Sequence, residues 1–544
     1  MLKLINKVSL QKIISSIEKQ LMPILKSRVV AGIFVFLLIV FMLDLFFPLP
    51  ESKPYSKAVY AKDGTLLTAY LSKDEKWRMR TRLEEVSPDL IIAILDKEDN
   101  WFYWHPGINP VAVVRAVFQN MFSGKRISGA STITMQLARM LEPAERTYGN
   151  KFLEMLRAFQ LELHYSKDEI LEMYLSNLPY GGNIEGVKSA SYIYFNRPPA
   201  KLSLSQAIVL TIIPNDPNDL RLDRNTSKLM DERNKWIKKF DGNKIFGHQD
   251  LMDALDEPVK AKRFAINNDA PHFCRFVSQK FSQDQIYTSL DQSIQKTAEK
   301  ILESYVNRVK SKQVSNGAVL IIDNKTNSVA AYCGSADFND NASLGQVNGI
   351  TALRSPGSTL KPFLYTLAFD LGELTPSMKL LDIPTDFGGY EPENYDLQYN
   401  GPVTAKYALV NSLNIPAVRL LKQTGLEKFI SLLQKCGFND IAQNKNMLGL
   451  SLILGGCGTR LEQLTKAYTV FSHGGKLFPL NYLKTDSLDV SDCTNIFSSP
   501  AAYLTGSILT SNERPDYPAD FLFSTEHPLI AWKTGTSLRL KCLS

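Results

Sequence analysis

The feature that most constrains the fold is an apolar helical stripe that runs into acid. Ser87-Pro88 opens a helix, since Ser accepts from unpaired N–H groups and Pro suits the first helical position. Ile91, Ile94 and Leu95 then recur at helical spacing. One turn on, that face reaches Glu98 and Asp99, at the head of the run EDNWFYWHPG with its aromatics and His105. A carboxylate does not continue a core-facing stripe unless the stripe opens into a cleft or the charge is paired. The competing reading is a helix end whose acids are merely solvated, and these residues alone favour neither.

The segments that follow supply polar chemistry. GASTITMQLAR, residues 129–139, starts with a Gly and a Ser able to cap a helix, and Ile133, Leu137 and Met140 make its buried face. Thr132, Gln136 and Arg139 fall on another face, a credible cradle for phosphate oxygens. In NKFLEMLRAFQLE, Lys151, Glu154 and Arg157 stand three apart. Ordinary intrahelical ion pairing, worth roughly 0.2–0.5 kcal/mol per pair, explains that spacing equally well.

Taken in order, EDxxFxxHxG, GxSTITMQLAR, KxxE and SKDEILEMYLSNLPYGG resemble the glycosyltransferase domain of the bifunctional (class A) penicillin-binding proteins. The likeness runs from about Val59 to Pro217, and LSLSQAIVLTIIPNDPN resembles the end of that domain. It implies a mainly α, lysozyme-like domain that polymerises lipid II, with inversion at the anomeric carbon. Glu98 matches the family's catalytic base, which deprotonates the acceptor 4-hydroxyl. Glu154 matches its second glutamate, which orients the donor or leaving group. Lys151 and Arg139 would face the departing diphosphate, with Ser131, Thr132 and Gln136 positioning it, and Asp99 and His105 would join the substrate-binding set. Asn150 stands where many members carry Arg. The resemblance implies no required cofactor and leaves room for Mg2+ or Mn2+ at the diphosphate; no residue reads as a metal ligand.

The 544 residues suffice for more than one domain, and the net charge of +7 is modest. Much of that charge sits in Lys3, Lys7, Lys12, Lys19, Lys26 and Arg28, ahead of an apolar run over 29–43 that LFFPLP extends past Asp44. A bilayer needs roughly 20 apolar residues, and LDLFFPL completes the span. No small-residue cleavage site follows, so the run reads as an uncleaved signal-anchor with its basic side in the cytoplasm. Residues 1–26 could lie on anionic headgroups as an amphipathic helix. Nothing reads as a nucleic-acid footprint. Cys274, Cys333, Cys436, Cys457, Cys493 and Cys542 show no zinc spacing and fix no disulfide pairing.

Beyond residue 220, residues 226–240 read as a charged surface helix, with Gly242 and Gly247 breaking the chain and a further helix near 251–255. Trp236, Phe240, Phe273 and Phe276 require burial, which makes 221–286 a packed connector rather than a disordered linker. Then TSLDQSIQKTAEKILESYVNRV reads as a strand start and a long helix, and GAVLIIDNKTNSVAAYCGS as a hairpin. Ser358 and Lys361 form SxxK at a helix mouth, Ser412 to Asn414 read SLN, and Lys533 to Thr536 read KTGT. That three-part set belongs to penicillin-binding proteins and serine β-lactamases.

The second half is most similar to the 1C branch of the class A family, through SPGSTLKPFLY, IPTDFGGYEPENYD and LSLILGGCGTRLEQL. The resemblance makes Ser358 the nucleophile, Lys361 its base and Ser412 a relay to the leaving amine. Asn414 would hold the stem-peptide amide, Lys533 and Thr534 the terminal carboxylate. The N–H groups of Ser358 and Thr536 would form the oxyanion hole. The implied partners are lipid II and the growing glycan chain, stem peptides, β-lactams, membrane lipids and other cell-wall synthesis proteins.

The expected architecture is therefore multi-domain α and α+β. It comprises a cytoplasmic segment (1–28), a transmembrane helix (29–49), a glycosyltransferase domain (50–220), a connector (221–286) and an α/β transpeptidase domain (287–544). Only LRLKCLS follows KTGTS, so the last domain is expected to lack its C-terminal strands and helix, with KTGT on a poorly anchored edge strand. Weak acylation of Ser358 is expected on that ground. Three readings stand at this point: a bifunctional synthase, a glycan polymerase with an inactive second domain, and a non-enzymatic envelope scaffold or β-lactam sensor. The signal-anchor is checked by a reporter fused after about residue 60. It should be active only in the exported compartment; activity in the cytoplasm reverses the topology.

Overall fold

The computed structural model describes residues 32, 34–35, 42, 44–112, 114–115, 131–145, 147–224, 226–259, 262–511 and 529–536. The amphipathic segment 1–26, nearly all of the apolar run 29–43, Gly129 and Cys542 lie outside these. Among the described residues no helix is long and apolar enough to cross a membrane. The chain divides into two compact units, Met1–Lys57 with Tyr70–Ile266, and Ala58–Ala69 with Asn267–Ser544.

The first unit is built on helices α1 (Pro88–Glu98), α2 (Ile133–Leu141), α3 (Tyr148–His164), α4 (Lys167–Asn177), α5 (Val187–Phe195), α6 (Leu204–Ile212), α7 (Thr226–Asn243) and α8 (His248–Asp256). Serine begins several of them for a local reason. Ser166 accepts from Glu169 N–H while Glu169 reaches back to the Ser166 N–H, and Ser203 and Gln206 repeat the exchange at α6. Ser87 does not follow suit: its side chain makes no cap bond, and Pro88 at the first turn sets the start. α6 is apolar nearly all round, burying Ala207, Ile208, Val209, Leu210 and Ile212, and α1 packs on it. The fully buried stripe of α1 is Leu90, Ala93 and Ile94, one position earlier than the sequence spacing predicts, with Ile91 and Leu95 at its edge.

α7 is charged yet anchored by Leu229, Arg233, Ile237 and Phe240, and it runs through Gly242 rather than breaking there. Trp236 and Phe240 belong to the first core, while Phe273 and Phe276 pack on Tyr332 in the second unit. The expected connector is thus divided between the two units.

In the second unit β1 (Ala58–Tyr60) pairs antiparallel with β2 (Leu66–Ala69) and parallel with β3 (Gln285–Tyr287). Residues 58–69, assigned to the glycosyltransferase domain from sequence, are therefore sheet strands of the other unit. β4 (Val319–Asp323) and β5 (Ser328–Cys333) form the expected hairpin. Ala298, Leu302 and Val306, four apart on α9 (Gln292–Val309), cover it. The main core gathers α10 (Lys361–Asp370), α11 (Asn414–Thr424), α12 (Leu426–Lys435), α13 (Leu461–Ser472) and α14 (Ser499–Leu509). Residues 529–536 carry no strand, so KTGT is not the edge strand expected of it. Cys274, Cys333 and Cys436 are buried free thiols, and Cys493 is exposed.

Arg78 is a keystone of the first unit. It lies in a two-residue strand parallel to Ile184–Glu185, and its side chain is 1% exposed. Its guanidinium bonds Glu185 at 2.6 and 2.8 Å, Asp74 at 2.8 and 3.2 Å and the Pro54 carbonyl at 2.6 Å. Those bonds hold Asp74 down to a pKa of about 2 against the opposing effect of its own desolvation. Arg78→Met would leave Glu185 with only Lys53 and Lys76, each 4.0 Å away, and no short partner, so denaturant unfolding of the first unit should show a loss of about 3 kcal/mol; a change within about 0.5 kcal/mol refutes the keystone role.

Candidate active site

α1 stops at Glu98, and its carboxylate is only partly exposed. Gln136 Nε2 on α2 donates to Glu98 Oε2 at 2.9 Å, and Lys97 Nζ donates to Oε1. The Gln136 carbonyl in turn accepts from the Tyr174 hydroxyl of α4 at 3.3 Å. Burial, then the charge of Glu98, push the Tyr174 phenol well above its ordinary range, which keeps it a neutral donor. The stripe therefore does end in a paired, half-buried carboxylate rather than a solvated one.

Asp99 is buried and caps both neighbouring elements. It leaves helical dihedrals at the end of α1, and Oδ2 accepts from the Ile133 N–H of α2 at 3.1 Å. His105 Nε2 lies 2.9 and 3.0 Å from its two oxygens. Thr132, the residue that caps α2, accepts from Met135 N–H and donates to the Gly107 carbonyl at 2.6 Å. Lys167 then ties the His105 carbonyl to Glu162, which also accepts from Thr134. Asp99, His105 Nε2 and Thr132 thus brace the junction of α1 and α2, while His105 Nδ1 is buried without a hydrogen-bond partner. Thr132, expected in the phosphate cradle, forms the cap of α2 here.

Ser131, Lys151 and Glu154 make a second cluster. Lys151 Nζ donates to Ser131 Oγ and to Glu154 Oε2, both at 2.7 Å. Arg157 does not extend the run of pairs; it bonds Glu142, Gln160 and the carbonyls of Phe47 and Pro48. Asn150 turns to the Glu145 carbonyl. Arg139, half-buried on the last turn of α2, is close enough for its charge to act on Tyr174. Among the described residues no group of His, Cys, Asp or Glu is arranged to hold a metal ion.

In the second unit a 3-10 turn, Gly357–Leu360, carries Ser358 into α10. Lys361 is fully buried, and Nζ lies 2.6 Å from the Ser412 carbonyl, 2.7 Å from Asn414 Oδ1 and 3.5 Å from Ser412 Oγ. Burial, with the Lys533 charge behind it, brings the Lys361 amine well below the ordinary lysine range. A neutral amine donating to the two short acceptors keeps its lone pair to receive a hydroxyl proton. Ser412 sits at φ +57°, an unusual conformation for a serine, and Lys533 Nζ donates to its Oγ at 2.7 Å.

KTGT reaches the Ser358 turn directly. A Cβ on Gly357, itself at φ +54°, would stand 2.7 Å from the Thr536 carbonyl oxygen, and one on Gly535 would meet Thr359 at 2.6 Å. Both glycines are required by this close approach. So Lys361, Ser412, Asn414 and Lys533 converge, and Thr536 lies against Gly357, next to Ser358, with Thr534 accepting from Lys533 through its carbonyl.

Sequence reading missed Lys97, Tyr174 and Asn215. Tyr174 lay inside a quoted motif without a role. Lys97 carried one signal, a lysine directly before the acid on an otherwise apolar helix.

The family described as Transglycosylase matches residues 63–241, and the penicillin binding protein transpeptidase domain matches residues 317–539. Penicillin-binding protein 1C of Escherichia coli (strain K12) is 38% identical over 496 residues, 91% of this chain and 63% of that protein. Penicillin-binding protein 1F of Bacillus subtilis (strain 168) is 31% identical over 413 residues, 72% of this chain and 56% of that protein. The chain thus spans less than two thirds of either relative. A solved structure of penicillin-binding protein 1A from Haemophilus influenzae aligns with a TM-score of 0.46 at 17% identity, covering 85% of this chain and 80% of that one.

The Lys361 environment makes a pH prediction. Its lowered pKa means the neutral, proton-accepting amine persists well below the range of a free lysine and is lost as pH falls through that lowered value. The rate of Ser358 acylation by a fluorescent penicillin should be level near neutral pH and fall about tenfold per unit below the limb. A limb near the ordinary lysine value of about 10 contradicts the assignment.

Proposed function

Since the chain belongs to the class A penicillin-binding proteins, with a transglycosylase region followed by a penicillin-binding transpeptidase region, we propose that it is a bifunctional peptidoglycan synthase. The first unit polymerises lipid II. Glu98 takes the proton from the 4-hydroxyl of the acceptor sugar as that oxygen attacks the anomeric carbon of the donor. The C1–O bond to the polyprenyl diphosphate breaks on the opposite face, so an α-linked donor gives a β-1,4 link. The observation that carries this reading is the Glu98 carboxylate held by Gln136 at the end of α1, with Lys151, Ser131 and Glu154 gathered at the start of the same helix α2. Negative charge builds on the leaving diphosphate, and Lys151 and Arg139 are the cations placed to meet it. Glu154 holds Lys151 in position. Asp99 and His105 serve the site by fixing where α1 and α2 meet.

The second unit cross-links. Ser358 Oγ attacks the penultimate D-Ala carbonyl of a stem peptide and passes its proton to Lys361. Ser412 relays a proton to the departing D-Ala amine, and Asn414 holds the peptide. Lys533 and Thr534 take the terminal carboxylate, and the N–H groups of Ser358 and Thr536 receive the oxyanion. An amine of a second stem peptide then displaces the serine and forms the cross-link. β-Lactams acylate the same oxygen. The substrate of the first unit is a lipid, which accords with an N-terminal membrane anchor and with both sites lying outside the inner membrane. A divalent cation at the diphosphate is compatible with this scheme and is not needed for any step.

Glu98→Gln keeps size and hydrogen bonding and removes basicity. Lipid II polymerisation should fall about 10²–10⁴-fold while Ser358 still labels with fluorescent penicillin. Polymerisation within a few-fold of the parent sinks the assignment of Glu98 as base.

A further inference from the structure

Building on the polymerase reading, we propose that Lys97 is a positioning residue of the glycosyl-transfer site, one that orients the Glu98 carboxylate toward the acceptor hydroxyl. The Lys97 side chain is 3% exposed, rare for a lysine and costly unless its charge is partnered. Its Nζ donates to Glu98 Oε1 and to Asn215 Oδ1 at 2.8 Å, and lies 5.6 Å from the centre of the Trp236 ring of α7. Consecutive residues on a helix diverge by about 100° and do not face each other. Here they meet because α1 ends at Glu98 and Asp99 has already left helical dihedrals. The last turn of a helix also favours a cation.

The pairing divides the Glu98 carboxylate between two donors. Oε1 takes the ammonium and Oε2 takes Gln136, and each oxygen retains a lone pair for the acceptor hydroxyl. The two fixed donors hold the carboxylate plane, and with it those lone pairs, where the acceptor hydroxyl must arrive. Burial pulls the Lys97 ammonium below the usual lysine range, and the Glu98 charge pulls it back. Lys239 on α7 also acts on Lys97, and Glu98, Arg139 and Asp99 act on the Tyr174 phenol of α4, with Gln136 and Asn215 as neutral contacts.

The test separates kcat from KM for lipid II polymerisation by the full chain. Lys97→Met keeps the length and loses the charge; should it not fold, Lys97→Gln is neutral and reads the same way. In either, kcat should fall about tenfold with KM little changed, since a misaimed base slows proton transfer and leaves binding intact. Lys97→Arg should return kcat toward that of the parent. A kcat within about twofold of the parent, or a loss that Lys97→Arg does not recover, leaves Lys97 a packing residue and overturns the inference. If the parent chain itself fails to polymerise lipid II, the polymerase reading falls and takes this inference with it.

Discussion

The first unit depends on the carboxylate of Asp99. It is buried where one helix ends and another begins, and it answers both ends: it terminates α1 and accepts from the first N–H of α2. His105 closes the arrangement from the other side. An anion at a helix N-terminus is favourable, and two neutralising donors make its burial affordable. Glu98 and Gln136 sit one residue and one turn from that junction, on opposite helices. Their contact at 2.9 Å is therefore a consequence of where Asp99 fixes the two axes. His105 and Thr132, read from the sequence as substrate contacts, also hold this joint.

The second unit reaches its geometry by removing side chains instead of pairing them. Gly357 and Gly535 let two backbones meet at distances no Cβ would tolerate. Into the space so defined the fold places a fully buried lysine, an off-region serine and a second lysine. The two lysines are useful to each other only as unlike partners. One is desolvated and drawn toward neutrality, and the other, less buried, supplies the charge that helps draw it.

Much of this was legible in the sequence because period and punctuation report local structure well. The β4–β5 hairpin, α9 and the motif-bearing helices follow from alternation, helical spacing and capping residues. What was not legible depends on partners distant in the chain. Nothing near Ala58 announces that it pairs with Gln285, since parallel pairing has no local turn signal. Trp236 and Phe273 read alike as aromatics needing burial, yet they enter different cores. Lys97 beside Glu98 reads as an ordinary surface pair until its burial is seen. The KTGT expectation erred in form, because its glycine docks on the Ser358 turn without any strand being made.

The placement of residues 58–69 bears on how the chain is made. β1 and β2 emerge from the ribosome before α1, yet β1's parallel neighbour, β3, is synthesised only after residues 70–266 of the first unit. For that interval the hairpin has an unpaired edge, and the polypeptide leaves one body at Lys57 and rejoins it at Tyr70. No single cut separates the two units cleanly: a fragment ending at Ile266 carries strands whose sheet it lacks, and one beginning at Asn267 lacks strands its sheet requires. The two activities proposed for this chain are thus joined by topology as well as by sequence, and the sheet of the second body stays incomplete until translation has passed Tyr287.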